Sequence, residues 1–226
     1  MQELRFNPFH QIHQALRALL YHASLSVQHT YFTQPQEAGK TLALLEQVVA
    51  FFEGHADTED TLVFPMIAAV APEVVADFEA QHKEDHRLGE ALVHAIQACR
   101  QEGTAAEKIM AGRKLQRALN AFTAFNLNHM NLEETEVLDI IHANYSDAQL
   151  FAKEAEIVAS LSPEKKAFSG YWMLKGLSTP EIIGWFQKIK THAPSFVLDE
   201  HLQLAENALT DEKLKAVQHA MATSLA

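Results

Sequence analysis

Thirteen histidines are present in 226 residues, and several stand three or four positions from a second histidine or a glutamate. His55 and Glu59, His82 and His86, and His129 and Glu133 are each four positions apart. On an α-helix such residues share a face one turn apart, with Cβ atoms about 6 Å from each other. Each pair therefore projects two donors in one direction, and His13, with His10 three residues before it, offers another. A carboxylate turned into a helical core carries a penalty of several kcal/mol unless it is paired. No Lys or Arg stands within four positions of Glu59 or Glu133, although Lys83 and Arg87 flank the His82–His86 pair. Two divalent cations would neutralise these carboxylates and engage the imidazole lone pairs, and a carboxylate from each of two helices can bridge two metals. Imidazole with carboxylate suits iron, manganese or zinc rather than calcium or magnesium.

The pattern occurs twice. The segment from Phe51 to Phe64 aligns with that from Phe125 to Leu138 at an offset of 74, with Phe51, His55, Glu59, Thr61 and Val63 matched by identical residues and Asp60 facing Glu134. The segment beginning at His13 aligns with that beginning at His86 at an offset of 73. The two shifts agree to within one residue, which implies a helical hairpin used twice about an approximate two-fold axis.

The elements that must hold these residues are helices. Gly and Pro are sparse, at 8 and 7 residues, whereas Ala, Leu, Glu, Gln and Lys are plentiful, a composition that favours helix over a β-sandwich or barrel. Asn7-Pro8 supplies a cap and a first-turn proline for a helix reaching about Tyr31. A second helix, with Leu42, Leu45, Val48, Val49 and Phe52 at helical spacing, fades near Pro65. Pro72 opens a third, ending near Gly103. Thr104 with Glu107 forms a capping box for a fourth, which runs to about Ala143. Short links between such helices imply an all-α, up-down-up-down four-helix bundle over residues 8–143. Ser146, Ser162-Pro163, Thr179-Pro180 and Thr210 then mark four or five shorter helices over 146–226. Trp172, Trp185, Phe186, Phe196 and Leu198 are candidates to pack there. No flexible Gly/Ser/Pro-rich linker precedes them, so an extension docked on the bundle is expected rather than an independent domain.

His13 within Ile-His-Gln-Ala-Leu-Arg, His55-x3-Glu59, His82-x3-His86 and His129-x3-Glu133-Glu134-Thr, in that order, resemble the ligand motifs of the hemerythrin and HHE cation-binding family. Tyr145-Ser-Asp, Trp172-Met-Leu and Leu177-Ser-Thr-Pro-Glu are also similar to the C-terminal extension of certain bacterial members. The resemblance implies a four-helix bundle with a non-haem di-iron centre. It implies five imidazoles, His13, His55, His82, His86 and His129, and two bridging carboxylates, Glu59 and Glu133; zinc or manganese are possible substitutes for iron. Five imidazoles divide three against two, leaving one metal an open position for a small molecule. In oxygen-carrying members the last carboxylate is an Asp five residues after its histidine. An ideal helix puts the +4 residue about 40° from the histidine and the +5 residue about 140° away, which favours Glu133, although a helix bulge would favour Glu134. His10 lies outside the family pattern and, if it bound metal, would close the open position. Asp60 and Glu134 suit acceptors for ligand N–H groups.

Three functions follow as alternatives. The first is a di-iron module binding or sensing dioxygen or nitric oxide, or handling iron. The second is a di-iron enzyme acting on peroxide or nitric oxide, or in repair of iron centres. The third is a metal-free helical interaction protein. A net charge of −11 without a run of five like charges argues against nucleic acid or an anionic membrane as partner. No apolar run reaches 18 residues, Met1 to Phe6 has no signal-peptide core, and Cys99 is the single cysteine, so a cytoplasmic protein is expected.

Overall fold

The computed structural model describes residues 5–223, and every regular element among them is helical. Helix α1 spans His10–His29 and α2 spans Pro35–Thr58, followed by a π turn at Glu59–Val63 and the short α3 at Phe64–Ile67. Helix α4 spans Pro72–Arg100 and α5 Ala105–Leu132; a second π turn at Glu133–Val137 leads into α6, Leu138–Asn144. Five shorter helices follow: α7 (Asp147–Ser160), α8 (Pro163–Gly176), α9 (Thr179–His192), α10 (Ser195–Ala208) and α11 (Asp211–Thr223).

The capping chemistry explains most of these boundaries. Asn7 Oδ1 accepts the Phe9 N–H at 2.9 Å, just ahead of α1. Prolines 35 and 72 stand in the first turns of α2 and α4, where a missing N–H leaves no hydrogen bond unmade. The Thr104–Glu107 capping box is formed, with Glu107 Oε2 accepting the Thr104 N–H at 2.8 Å. Pro65 does not end its helix: it falls in the first turn of α3, immediately after the π turn has already interrupted the regular α ladder.

The chain divides into two compact units. The described part of the first comprises residues 5–9 and Leu19–Ile157, and that of the second comprises His10–Ala18 and residues 158–223. The unit boundary thus lies beyond the 143–146 junction expected from sequence, and α1 contributes to both units. Most of α7 belongs with the first because the residues before α1 bind it. Arg5 Nε donates to Asp147 Oδ1 at 2.9 Å, the Phe6 N–H donates to Asp147 Oδ2 at 3.2 Å, and the Phe6 and Phe151 rings are 4.3 Å apart.

In the first unit, Phe64, Ile67, Val75, Phe78, Val137, Ile141 and Leu150 belong to one buried apolar cluster. Farther along α2, Phe52 meets Phe122 of α5 edge-to-face at 5.2 Å. In the second unit, Leu174, Leu177, Ile182, Phe186, Ala205 and Val217 form a separate core. Trp172 is buried, and Trp185 and Leu198 pack partly against that core, but Phe196 is 59% exposed and takes no place in it.

Candidate metal centre

Two of the helices that carry donors change register at the same repeat position. The α2 ladder is still regular at Glu59, whose N–H reaches His55 O, so His55 and Glu59 share a face. The same holds on α5, where the Glu133 N–H reaches His129 O. Only beyond each glutamate does the i→i+5 pattern begin, with the Phe64 N–H bonding to Glu59 O and the Leu138 N–H to Glu133 O. The bulge that could have turned Glu134 inward is therefore present, but it acts after Glu133. Glu133 is fully buried and Glu134 only partly.

The carboxylates gather the imidazoles around them. Glu59 directs one oxygen each way: Oε1 lies 3.2 Å from His55 Nε2 and Oε2 lies 3.4 Å from His82 Nε2. Glu133 Oε1 lies 3.1 Å from His129 Nε2 and 4.0 Å from His82 Nε2. Donor atoms of Glu59, His82, His129 and Glu133 all lie within 4.8 Å of one another, and those of His55, Glu59 and Glu133 satisfy the same limit. Two donor groups thus share two carboxylates. Burial, then the neighbouring charge of Glu133 and a hydrogen bond to it, hold the Glu59 carboxyl well above the ordinary range.

The outer faces of two imidazoles are fixed. His82 Nδ1 stands 2.8 Å from Asp60 Oδ1, and His129 Nδ1 stands 2.9 Å from Gln81 Oε1. Both partner atoms are oxygens, so an N–H at each Nδ1 would satisfy them and leave each Nε2 lone pair facing the site. Those Nε2 atoms face each other at 3.1 Å, with carboxylate oxygens on either side. A set made only of acceptors repels itself unless protons or a cation enter. Two nitrogens bound to one first-row ion at about 2.0–2.1 Å lie roughly 2.8–3.4 Å apart for angles between right and tetrahedral. The observed separation falls in that span, so the residues fit a metal. Aromatic rings close the surroundings: Phe64 stacks on His82 at 5.3 Å, Phe125 stacks on His129 at 5.9 Å, and Phe78 lies 5.5 Å from His129.

Of the residues expected from sequence, His55, Glu59, His82, His129 and Glu133 come together. His13 is buried on α1, in the His10–Ala18 stretch of the second unit. His86 is not brought to the site. Its side chain is 62% exposed, with Glu90 at 3.5 Å and Glu53 at 3.9 Å. The cause is the register of α4, whose buried stripe runs Val75, Phe78, His82, Asp85, Gly89, Leu92 and Ile96. That alternation of three and four residues selects Asp85, not His86, as the inward neighbour of His82. His10 is engaged elsewhere, its Nε2 2.6 Å from Glu181 Oε1 within the second unit.

Gln81 and the Asp85–Asn126 pair escaped the sequence reading. Asn126 Nδ2 donates to Asp85 Oδ1 at 2.5 Å, and both residues are buried. Burial raises the Asp85 carboxyl, against the lowering pull of Asn126, His129 and His82. Extending the apolar spacing of α4 through residues 82 and 85 would have found Asp85; nothing in the sequence singles out Gln81.

No curated protein and no solved structure matches the chain. The hemerythrin HHE cation-binding domain model matches residues 6–141, more than half the chain and the whole run that supplies the buried donors. With that match added to two donor groups sharing Glu59 and Glu133, the chain belongs to the hemerythrin HHE cation-binding family.

Proposed function

We propose that this chain is a non-haem di-iron protein that binds or senses dioxygen or nitric oxide, or handles iron. One observation carries the reading: two groups of buried donors share the Glu59 and Glu133 carboxylates, the arrangement that two bridged cations require. His82 and His129 would hold one ion. His55 would hold the other. Zinc or manganese fits the same donors. A pair of irons there would supply reversible redox change and open coordination positions for a small ligand.

The protein's own contribution is binding, orientation and exclusion of water. Glu59, with its oxygens turned toward His55 and His82, would help to hold both ions, Asp60 and Gln81 stand at the outer nitrogens of two imidazoles, and Phe64, Phe78 and Phe125 cover the sides where they pack. Only two carboxylates lend negative charge, fewer than in the ferritin-like sites built on Glu-x-x-His. Less anionic donation stabilises oxidised iron less, which favours reversible binding. Protein purified without added metal is expected to carry about two irons per chain, by analogy with carboxylate-bridged bundle sites. Anaerobic titration of the reduced protein with dioxygen or nitric oxide is expected to change its optical spectrum; no change with either gas refutes the binding role.

The exposure of His86 favours a second reading. With that imidazole withdrawn, neither ion has a third histidine, and more positions stay open than the resemblance implies. That suits turnover of peroxide or nitric oxide, or donation of iron during repair of iron centres. Steady-state assays of the iron-loaded chain decide it, and rates no greater than those of free iron reject it. Among the described residues no helix is long and apolar enough to cross a membrane, and the single cysteine accords with a cytoplasmic location.

A further inference from the structure

His82 and His129 look alike from inside the site and differ outside it. The Nδ1 of His82 meets a carboxylate, Asp60, whose side chain is 41% exposed. The Nδ1 of His129 meets a neutral amide, Gln81. A carboxylate accepting the Nδ1 proton draws it outward and enriches the electron density at Nε2, making that nitrogen the stronger donor. An amide oxygen fixes the ring with little such effect. The connection also crosses helices, since Asp60 follows Glu59 immediately and reaches from the π turn after α2 to His82 on α4. Glu59 and the ring that faces it are thus set by consecutive residues.

We propose that Asp60 and Gln81 are positioning residues that hold His82 and His129 as Nδ1–H tautomers, and that the charge of Asp60 sets how strongly the cation between those rings is held. This rests on the metal-binding reading above. It assigns unequal roles to the two partners: Gln81 orients, whereas Asp60 orients and strengthens. It also assigns unequal roles to the two halves of the site, because the outer charge acts on the ion at His82 and His129 and not on the one at His55.

The test uses the full-length chain, stripped of metal and titrated with cobalt(II), read by its visible absorption. Asp60→Asn keeps an acceptor oxygen and removes the charge. It is expected to weaken one of the two cobalt-binding steps by about 10–100-fold, with a shifted visible band for that ion and the other step unchanged. Gln81→Glu adds the charge on the other ring and is expected to strengthen the same step. A purely structural role would move the thermal stability of the metal-free chain in both variants while leaving the cobalt bands alone. Equal weakening of both steps by Asp60→Asn, or no effect on either, overturns the proposal. Nitrogen-15 spectra of the metal-free protein read the tautomers directly, and an Nε2–H form at His82 or His129 also overturns it. A wild-type chain that takes up no cobalt yet shows both Nδ1–H tautomers refutes the metal reading and leaves the orienting role standing.

Discussion

Removing the metal should make the first unit less stable as pH rises, and Glu59→Gln should relieve much of that loss. Glu59 is 2% exposed and faces Glu133, which is fully buried. Burial, the charge of Glu133 and a hydrogen bond to it keep the Glu59 carboxyl protonated well above the ordinary range. In the unfolded chain the same group ionises near its usual value of about 4.3. Between those two points the folded state holds the extra proton, so its stability is full below the unfolded pKa and is lost as pH rises through the folded one. The slope approaches about 1.4 kcal/mol per pH unit for one such group. At about 2–4 °C per kcal/mol for a chain of this size, the transition should fall by a few degrees per pH unit as pH rises from 5 toward 7.5, until the folded group itself ionises. Asp85, also raised by burial, adds a loss of the same sign. Calorimetry of chelated protein across that range, with Glu59→Gln alongside, measures both effects. The variant should melt higher than wild type at pH 7.5, by about 1–4 kcal/mol of stability, yet fail to regain stability when iron or zinc is added. A flat or rising wild-type profile, or a variant with an undiminished slope, would show that the carboxylates are not held close and buried as described.

Other substitutions probe other parts of the molecule. His86→Ala should leave metal stoichiometry unchanged by elemental analysis, whereas His82→Ala should lower it by one ion; equal loss in both would return His86 to the site. Gly112→Ala should destabilise the first unit by about 1–3 kcal/mol in denaturant titration, because a Cβ there would lie 2.3 Å from the Phe32 ring. A neutral result would mean that the connector carrying Phe32 yields freely. Burial pushes the Cys99 thiol up to about 11, so labelling of the folded protein by iodoacetamide should be slow at pH 7.5. The rate should increase about tenfold per pH unit; rapid labelling at pH 7.5 would place that thiol in the open.

The donors most legible in the sequence were those whose partner stands on the same helix at a spacing the backbone fixes. His55 with Glu59 and His129 with Glu133 needed only the α-helical repeat, and the duplication identified both at once. His86 was misplaced because the +4 rule compares two residues with each other and not with the face their helix buries. His82 and His86 do stand about 40° apart, but Phe78, Asp85, Leu92 and Ile96 of the buried stripe lie on the far side of His82 from His86. The internal repeat reinforced the error by aligning His86 with the buried His13. Gln81 could not be read at all, since its role comes from α5 bringing His129 beside α4. The unit boundary was hidden for a similar reason: Arg5 and Phe6 bind Asp147, and no local pattern announces a contact between residues so distant in sequence.

The paired π turns reconcile two demands that a regular helix cannot meet together. The donor layer needs His and Glu at i and i+4, as a regular α ladder provides. The apolar layer below needs the residue five after each glutamate, Phe64 or Leu138, to be buried. In a continuous α-helix that residue would lie about 140° from the glutamate, toward the helix flank. One i→i+5 turn absorbs an extra residue and brings it back toward the glutamate's face. Phe64 can then stack on His82. The residue directly after the first glutamate, Asp60, is left beside the bundle seam, where it reaches the outer nitrogen of that same ring. A single local distortion, beginning only after the carboxylate is in register with its histidine, thus serves two contacts: the aromatic ring covers the neighbouring imidazole, and the acid behind the glutamate meets that imidazole's outer nitrogen. Sequence alone offered the repeat of Glu, acid, Thr and Val in both places, but the distortion arises from the conflict between layers, which becomes visible only when the helices are packed.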